Sequence, residues 1–341
     1  MTLFEQEIAQ QQYVLYDTFE TNRKKIAEIA KRIRADKIKG LAVTARGSSK
    51  NACWYLKYLI ETQIGIPVVF INPSVVYLYN GKYALKDFLL FAVSQSGRAE
   101  DILQVVRQAN EAGVPTVAVT NAVDSPIALN SEEVLFLNVG QERSVAASKT
   151  FLAQMTVFYM LATALEGGEP LFPDVDDGIK SLFDDKEKIA EMAQNFERVT
   201  DLFVLARGLN YVSAEEIALK FKETCYLNAS SYSLSEFQHG PFALLEQKST
   251  VILLGSTDPT ADSCKKLADK IKATGARLCV LSSDFRLVQT GDFGRVLPRC
   301  QYLSTPFLQV VAGQLLVSAL SGRKGLNPDG PRYLKKVTVT E

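Results

Sequence analysis

The chain has 341 residues, 47% of them hydrophobic, and a formal net charge of zero. This length suits two domains of about 150–170 residues, and the sequence offers no basic run of the kind that a nucleic-acid binder needs. Five cysteines without a C-x-x-C spacing and a single histidine predict neither a disulfide framework nor a metal site.

The N-terminal segment carries no sign of export. Residues 1–6 lack a basic and an apolar region, and the longest apolar stretches, near 151–165 and 310–320, are shorter than a membrane span. We therefore expect a soluble, cytoplasmic protein that binds no membrane. Residues 1–40 are expected to form one or two amphipathic helices.

An internal repeat organises the rest of the chain. Leu41–Gly47 predicts a buried strand that ends in Ala-Arg-Gly, and a helix follows over 51–64. Leu202–Gly208 ends in the same triplet 161 residues later, before a helix over 213–226. The next corner repeats at the same distance, since Val93-Ser94 corresponds to Leu254-Gly255. The chain therefore contains two copies of one unit.

Both copies alternate apolar runs with amphipathic helices. Further strands are predicted over 68–72, 89–93, 116–120, 134–137, 250–254, 277–281 and 295–297. Uninterrupted apolar strands favour a parallel sheet covered on both faces. We expect an α/β fold, a tandem of two doubly wound parallel-sheet domains over 1–175 and 176–341. A long helix over 144–167 and a proline-containing linker over 169–180 are expected between them.

Polar residues follow the strands at two corners of the first copy. They are Gly47, Ser48 and Ser49 at one corner and Ser94, Gln95 and Ser96, followed by Gly97, at the other. In a parallel sheet, ligands bind at the carboxyl ends of the strands, where helix N-termini attract anions. The serines could instead cap the helices, but two such corners favour a phosphate site. The second copy has Asp258 at the matching corner, which would repel phosphate.

Glu216, Lys220 and Glu223 share one face of the helix predicted over 213–226. Their spacing alone favours a solvent-exposed ladder of ion pairs, whereas the apolar neighbours Ile217 and Phe221 favour burial. His239 lies in a loop before Gly-Pro, and imidazole is the side chain best suited to proton shuttling near neutral pH.

Five segments resemble the double sugar-isomerase (SIS) domain family, which includes the isomerase half of glucosamine-6-phosphate synthase and the SIS-type glucosamine-6-phosphate deaminases. They are SQSGRAED (94–101), ERSVAASKTF (142–151), EEIALKFKE (215–223), EFQHGP (236–241) and PRYLKKVTVTE (331–341). The resemblance implies a sugar phosphate substrate, two flavodoxin-like three-layer domains, and a homodimer whose active site takes a histidine from the partner subunit.

The resemblance also implies roles for individual residues. Ser49, Ser94, Gln95 and Ser96 would grip the phosphate, with Ser48 near the sugar. The backbone of the segment containing Val145 and Ala147 would contact sugar hydroxyls, and Gly47 and Lys220 are also expected to bind the substrate. Glu223 would be the base and His239 the ring opener, and Lys336, or its neighbour Lys335, would reach the carbonyl from the C-terminal tail. The synthases carry threonine at the position of Ala99 and serine at that of Ala147, and the latter change is similar to the deaminase branch.

The expected reaction is deamination. The chain enters the first sugar-isomerase unit without a glutaminase domain, so the resemblance implies conversion of glucosamine 6-phosphate and water to fructose 6-phosphate and ammonia, with no metal or redox cofactor. A deglycase of phosphorylated fructosamines and a simple aldose–ketose isomerase would use the same residues. A non-catalytic sugar-phosphate sensor is the alternative of another class, although it would not need Glu223, His239 and Lys336 together.

Overall fold

The computed structural model of the chain describes residues 1–170 and 172–336. Its strands are β1 Gly40–Ala45, β2 Val68–Phe70, β3 Phe88–Val93, β4 Thr116–Thr120, β5 Glu133–Phe136, β6 Asp201–Ala206, β7 Asn228–Ser233, β8 Thr250–Gly255, β9 Arg277–Ser282 and β10 Phe293–Val296. Its helices are α1 Leu3–Ala9, α2 Gln11–Ala35, α3 Gly47–Gln63, α4 Pro73–Tyr77, α5 Glu100–Glu111, α6 Pro126–Asn130, α7 Lys149–Glu166, α8 Pro173–Asp184, α9 Lys186–Met192, α10 Tyr211–Cys225, α11 Leu234–Gln238, α12 Ala261–Ala273, α13 Phe285–Val288 and α14 Thr305–Arg323.

The described chain forms two compact units. The first unit contains Tyr13–Glu142 and the described parts of Lys149–Leu171 and Lys335–Glu341. The second unit contains Met1–Gln12, Arg143–Ser148 and the described part of Phe172–Leu334. The division into folding domains at residue 175 stays a prediction.

Each unit is built around one parallel five-stranded sheet. The strand order is β2-β1-β3-β4-β5 in the first unit and β7-β6-β8-β9-β10 in the second, and all neighbours are parallel. Every residue of β1 and β8 is buried, as expected for strands that helices cover on both faces. The predicted tandem of doubly wound α/β domains is confirmed.

The strand register confirms the internal repeat. Leu41 pairs with Leu89 in the first sheet, and Leu202 pairs with Thr250 in the second. Leu202 therefore lies 161 residues after Leu41, and Thr250 lies 161 residues after Leu89, which is also the distance between the two Ala-Arg-Gly triplets. Residues at this distance in the two units are structurally equivalent around the first two corners.

Three sequence predictions need correction. Strand β7 was not predicted, because its sequence Asn-Ala-Ser-Ser-Tyr-Ser is polar and it pairs only with β6 at the sheet edge. The helix predicted over 144–167 begins at Lys149. The expected linker over 169–180 is helical from Pro173 onward, as the N-terminal part of α8.

Helix α14 is an apolar and largely buried helix of the second unit. In the described part of the chain, Tyr302–Arg323 is the one segment long and apolar enough to cross a membrane, and most of it is buried in the protein. It packs against α8, α9 and α10. The apolar stretch near 310–320 is thus part of a longer helix than the sequence suggested.

Candidate active site

The first corner of the first unit is a tight turn from β1 into α3. Gly47 has a φ of +53°, a conformation that favours glycine, and α3 begins there. Ser49 is buried, and its Oγ accepts a hydrogen bond from Gln154 Nε2 at 2.9 Å. Because α3 has no side-chain cap at Arg46, the serines here do not act as N-cap acceptors.

The second corner is an ordered loop between β3 and α5. Helix α5 begins at Glu100, and its N-cap, Ala99, makes no side-chain capping bond. Ser94 and Ser96 therefore do not cap α5, and the capping alternative is wrong at this corner. The predicted helix start, directly after the serines, lies a few residues too early.

Backbone contacts from the end of β4 hold this loop in place. The Gln95 carbonyl accepts hydrogen bonds from Asn121 N at 3.0 Å and Thr120 Oγ1 at 3.2 Å. Ser94 Oγ accepts a bond from Gly97 N at 3.1 Å. Within the described residues, no hydrogen bond uses the side chains of Gln95 or Ser96, so both can turn toward a ligand.

Gly97 has no room for a side chain. Its φ is +62°, and a Cβ built on it would lie 1.9 Å from Oγ and 2.5 Å from Cβ of Ser125. Ser125 is itself buried and caps α6 by accepting from Ala128 N. The close packing of Ser125 against the loop is therefore possible only because residue 97 has no Cβ.

An ion pair joins the two corners. Arg46 donates from Nε at 3.0 Å and from Nη2 at 2.7 Å to one oxygen of Asp101. Asp101 lies in the first turn of α5, and its side chain is 3% exposed. Since a buried carboxylate needs its partner, this pair fixes the start of α3 relative to the start of α5. This pair was not predicted from the sequence.

A cavity of about 330 Å³ opens beside Gln95. It is lined by Gln95, Asn121, Phe136, Asn138, Gly140, Gln141 and Glu142. Most of these residues offer amide or carboxylate groups, which suit a polyhydroxylated ligand better than an apolar one.

Glu142 is a buried carboxylate at this cavity and pairs with a predicted catalytic residue. Its oxygens accept hydrogen bonds from Thr150 N at 3.0 Å and Thr150 Oγ1 at 2.7 Å, and Lys336 Nζ lies 2.7 Å away. The side chain of Glu142 is 0% exposed and that of Lys336 is 23% exposed. Lys335 is exposed, which favours Lys336 as the working lysine. The rest of the predicted tail, residues 337–341, lies outside the described residues.

In the second unit, α10 carries the ladder that the sequence analysis singled out. Lys220 Nζ lies 3.2 Å from Glu216 Oε1 and 2.5 Å from Glu223 Oε2. Glu216 and Lys220 are 0% and 1% exposed, whereas Glu223 is 20% exposed. The reading as a solvent-exposed ladder is therefore wrong. The structure brings Lys220 and Glu223 together and adds Glu216 to them.

The charge of Lys220 is fixed by its neighbours. Burial lowers the pKa of its ammonium group, but the carboxylates of Glu216 and Glu223 raise this pKa more strongly, so that it lies above the usual value for lysine. Lys220 therefore stays protonated and holds Glu223 in one orientation.

His239 lies at the C-terminal end of α11 and is exposed. Its backbone N donates to Glu236 O at 3.0 Å, and Gly240 follows with a φ of +149°. No hydrogen bond or ion pair joins its imidazole to any residue that the structure describes, so it is not brought into contact with Glu223 or Lys220. In the same described residues, no cluster of His, Cys, Asp or Glu could hold a metal ion.

The segment Arg143–Ser148, which contains Val145 and Ala147, is anchored to the rest of the second unit. Glu7 accepts hydrogen bonds from the backbone N–H groups of Arg143 and Ser144. Val145 N donates to Asp329 O at 3.3 Å.

Asp329 also anchors the helix that carries Glu7. Its carboxylate accepts from Leu3 N at 2.8 Å and Phe4 N at 2.7 Å, in the first turn of α1. These contacts could not be predicted from the sequence, since more than 130 residues separate Glu7 from the segment it holds.

Comparison with known proteins agrees with this architecture. The SIS domain family model matches residues 36–164 and 196–284. Over 98% of its length, the chain is 32% identical to the isomerizing glutamine–fructose-6-phosphate aminotransferase of Pyrococcus horikoshii. The chain spans 57% of that relative's length.

Solved structures resemble the chain over nearly its full length. A protein from Silicibacter pomeroyi, provisionally assigned as a phosphosugar isomerase, is 31% identical with a TM-score of 0.83, covering 96% of this chain and 100% of that one. The glucosamine-6-phosphate deaminase of Thermotoga maritima shares the fold, with 22% identity, a TM-score of 0.78, and coverage of 99% and 100%. On the family match and the identity over almost all of its length, this chain belongs to the SIS domain family.

Proposed function

We propose that this chain is a phosphosugar isomerase that acts as a glucosamine-6-phosphate deaminase. The observation that carries the proposal is the orientation of Glu223, whose partly exposed carboxylate is held by the buried ammonium of Lys220. A general base must reach its substrate and keep a fixed position, and the partial exposure of Glu223 together with its ion pair to Lys220 supports that role. Relatives named for isomerization of a sugar phosphate support the substrate class.

The phosphate of the substrate would bind at the two corners of the first unit. The side chains of Gln95 and Ser96 have no hydrogen bond to other described residues, and the hydroxyl groups of Ser48, Ser49 and Ser94 lie in the same two corners. The start of α3 adds backbone N–H groups and the positive end of a helix dipole. Gly47 allows the turn that presents them.

Proton transfers would then convert the sugar. His239 moves a proton between O1 and O5, so that the ring opens to the aldehyde. Glu223 takes the proton from C2 and returns it to C1, which turns the enolamine into an imine at C2. Water adds to the imine carbon, and ammonia leaves from it, so that fructose 6-phosphate and ammonia are the products.

Other residues would position the open chain. Lys336 contacts the carbonyl oxygen at C1 and is itself held by Glu142, while the segment with Val145 and Ala147 lies along the sugar hydroxyls. Ala147 supports deamination, because the synthases of the family carry serine at this position and the change to alanine is similar to the deaminase branch. The oxygen of the new C2 carbonyl comes from water, and the released ammonia carries the nitrogen of the substrate's own amino group.

We also propose that the enzyme is a cytoplasmic homodimer. Its five cysteines are all free thiols, which suits a reducing compartment. The His239 imidazole is exposed and makes no hydrogen bond to the residues that the structure describes, which suits a side chain that completes the active site of the partner subunit.

The decisive assay is release of ammonia and fructose 6-phosphate from glucosamine 6-phosphate. We expect both products from the wild-type protein, and a loss of about 10²–10⁴-fold in Glu223→Gln, since that variant keeps the shape but cannot accept the proton. Glu246→Gln, at an exposed glutamate of the same unit, is the matched control and should be fully active.

Other outcomes identify the alternatives. Turnover of fructosyl-lysine 6-phosphate in place of glucosamine 6-phosphate would indicate a deglycase, and interconversion of glucose and fructose 6-phosphates would indicate a simple isomerase. Binding of the sugar phosphates without turnover of any of them would indicate a sensor.

A further inference from the structure

The matching corner of the second unit is filled by a carboxylate. Asp258 Oδ2 accepts hydrogen bonds from Ser256 Oγ at 2.7 Å and Asn210 Nδ2 at 3.0 Å. Its Oδ1 accepts from both the backbone N and the Oγ1 of Thr260, each at 2.6 Å. Four donors thus converge on one negatively charged side chain.

These donors come from the positions equivalent to the predicted phosphate site. At the repeat distance of 161 residues, Asn210 corresponds to Ser49 and Ser256 corresponds to Gln95. Asp258 corresponds to Gly97, which cannot carry a side chain. The second unit therefore has polar residues at the same two corners, together with an anion of its own.

The contacts go beyond those of an ordinary helix cap. Helix α12 begins at Ala261, and its N-cap, Thr260, makes no side-chain capping bond. Asn210 is fully buried and belongs to the other corner, just before α10. A side chain that only capped α12 would not need a donor from that second element. Carboxylate and phosphate oxygens accept the same charge-assisted hydrogen bonds.

We propose that Asp258 is an internal anion that occupies, in the second unit, the place that the phosphate group takes in the first. Each chain consequently binds one sugar phosphate, and the second corner becomes an anion site only when the Asp258 carboxylate is removed. The comparison with the substrate phosphate rests on the proposed function, whereas the four contacts of Asp258 do not.

The test compares Asp258→Ala, which empties the corner, with Asp258→Asn, which keeps it filled by a neutral group of the same shape. Both variants lose charge-assisted bonds and should melt at a lower temperature than the wild type in phosphate-free buffer. Adding inorganic phosphate should raise the Tm of Asp258→Ala well beyond any rise in Asp258→Asn, since a ligand stabilises only the form that binds it. Chloride at equal ionic strength is the control for screening.

Equilibrium dialysis with radioactive phosphate should count one more phosphate per chain in Asp258→Ala than in Asp258→Asn. Equal phosphate responses of the two variants would overturn the proposal. If Asp258→Ala does not fold alone, refolding in phosphate but not in chloride supports the proposal, and failure in both overturns it. Binding of glucitol 6-phosphate to the wild-type protein tests the proposed function separately. If this sugar phosphate does not bind, the proposed function fails, but the comparison of the two Asp258 variants remains valid.

Discussion

Lys220 Nζ lies 3.2 Å from Glu216 Oε1, and both side chains are almost completely removed from solvent. The same ammonium group lies 2.5 Å from the carboxylate of Glu223, which reaches the surface. Lys220 therefore links an interior charge to the proposed base, and its replacement should affect both stability and chemistry.

Lys220→Met should lower the free energy of unfolding by about 3–5 kcal/mol, because the buried carboxylate of Glu216 loses its ion-pair partner. Urea titration measures this loss. Lys222→Met, at an exposed position of the same helix, should change the free energy of unfolding by less than about 0.5 kcal/mol. Equal losses in the two variants would contradict the assigned role of Lys220.

Glu142→Gln should lower kcat by about tenfold or more while changing KM little, since Lys336 loses the charge that positions it. Lys336→Ala should cost at least as much, and the double variant should be no worse than Lys336→Ala alone. Steady-state kinetics of all three variants provides the measurement, with Lys335→Ala as the control. Additive effects of the two substitutions would show that Glu142 does not act through Lys336.

Glu7→Gln should raise KM for the sugar phosphate, because one of the backbone N–H groups of Arg143 and Ser144 loses its acceptor and the segment with Val145 and Ala147 becomes less ordered. An unmade buried hydrogen bond also costs about 1–3 kcal/mol of stability. The control is Glu20→Gln, at an exposed glutamate of α2. A loss of stability with unchanged KM would limit Glu7 to a structural role.

Mixing His239→Ala with Glu223→Gln tests whether the active site is shared between subunits. Each variant alone should be inactive. After unfolding and refolding together, half of the dimers are mixed, and each mixed dimer has one complete site, so about a quarter of wild-type activity should return. No recovery, despite mixed dimers demonstrated by differential tagging, would place both residues in the site of one chain.

The cysteines should be almost unreactive in the native protein. Burial raises the pKa of Cys225, Cys264 and Cys300 to about 11, and it raises those of Cys53 and Cys279 as well. Above pH 9.0, the ordinary pKa of the thiol, the unfolded chain releases thiol protons that the folded chain keeps. The contribution of the buried thiols to the stability of the fold is therefore complete below pH 9.0 and decreases as the pH rises further.

Ellman's reagent at pH 8 measures this protection. The three thiols with a pKa of about 11 should react about a hundredfold more slowly in the native protein than in urea, from the smaller thiolate fraction alone. Rapid reaction of Cys225 or Cys264 in the native state would contradict their burial.

The sheets were predicted well from the sequence because most of their strands can be recognised from a few consecutive residues. A buried strand ending in Ala-Arg-Gly is visible in seven residues, and its second occurrence defined the repeat. Strand β7 was missed because an edge strand whose residues are mostly only partly buried does not need an apolar sequence. The start of α7 was misplaced because distant groups, Glu7 and Asp329, take up the backbone N–H groups before it.

The residues of the site divide in the same way. Glu223, Lys220 and the serine corners could be found from spacing and motif. Glu142 could not, since its partner Lys336 lies 194 residues away, and the same holds for the pairing of Arg46 with Asp101. A buried charge is recognised only once its partner is known, and the partner is a property of the fold.

The crowding at Gly97 has a consequence for the history of the two copies. A duplicated unit begins with two equal corners, and an acidic side chain at the position of Gly97 would make the first corner, like the second, independent of any ligand. The left-handed backbone of Gly97 and the hydroxyl of Ser125 close this route, because a single substitution at Gly97 would collide before it could contribute a carboxylate. The two copies therefore differ in what one substitution can do at equivalent positions: position 258 holds a carboxylate within reach of four donors, whereas position 97 accepts a side chain only if Ser125 and the loop are rebuilt.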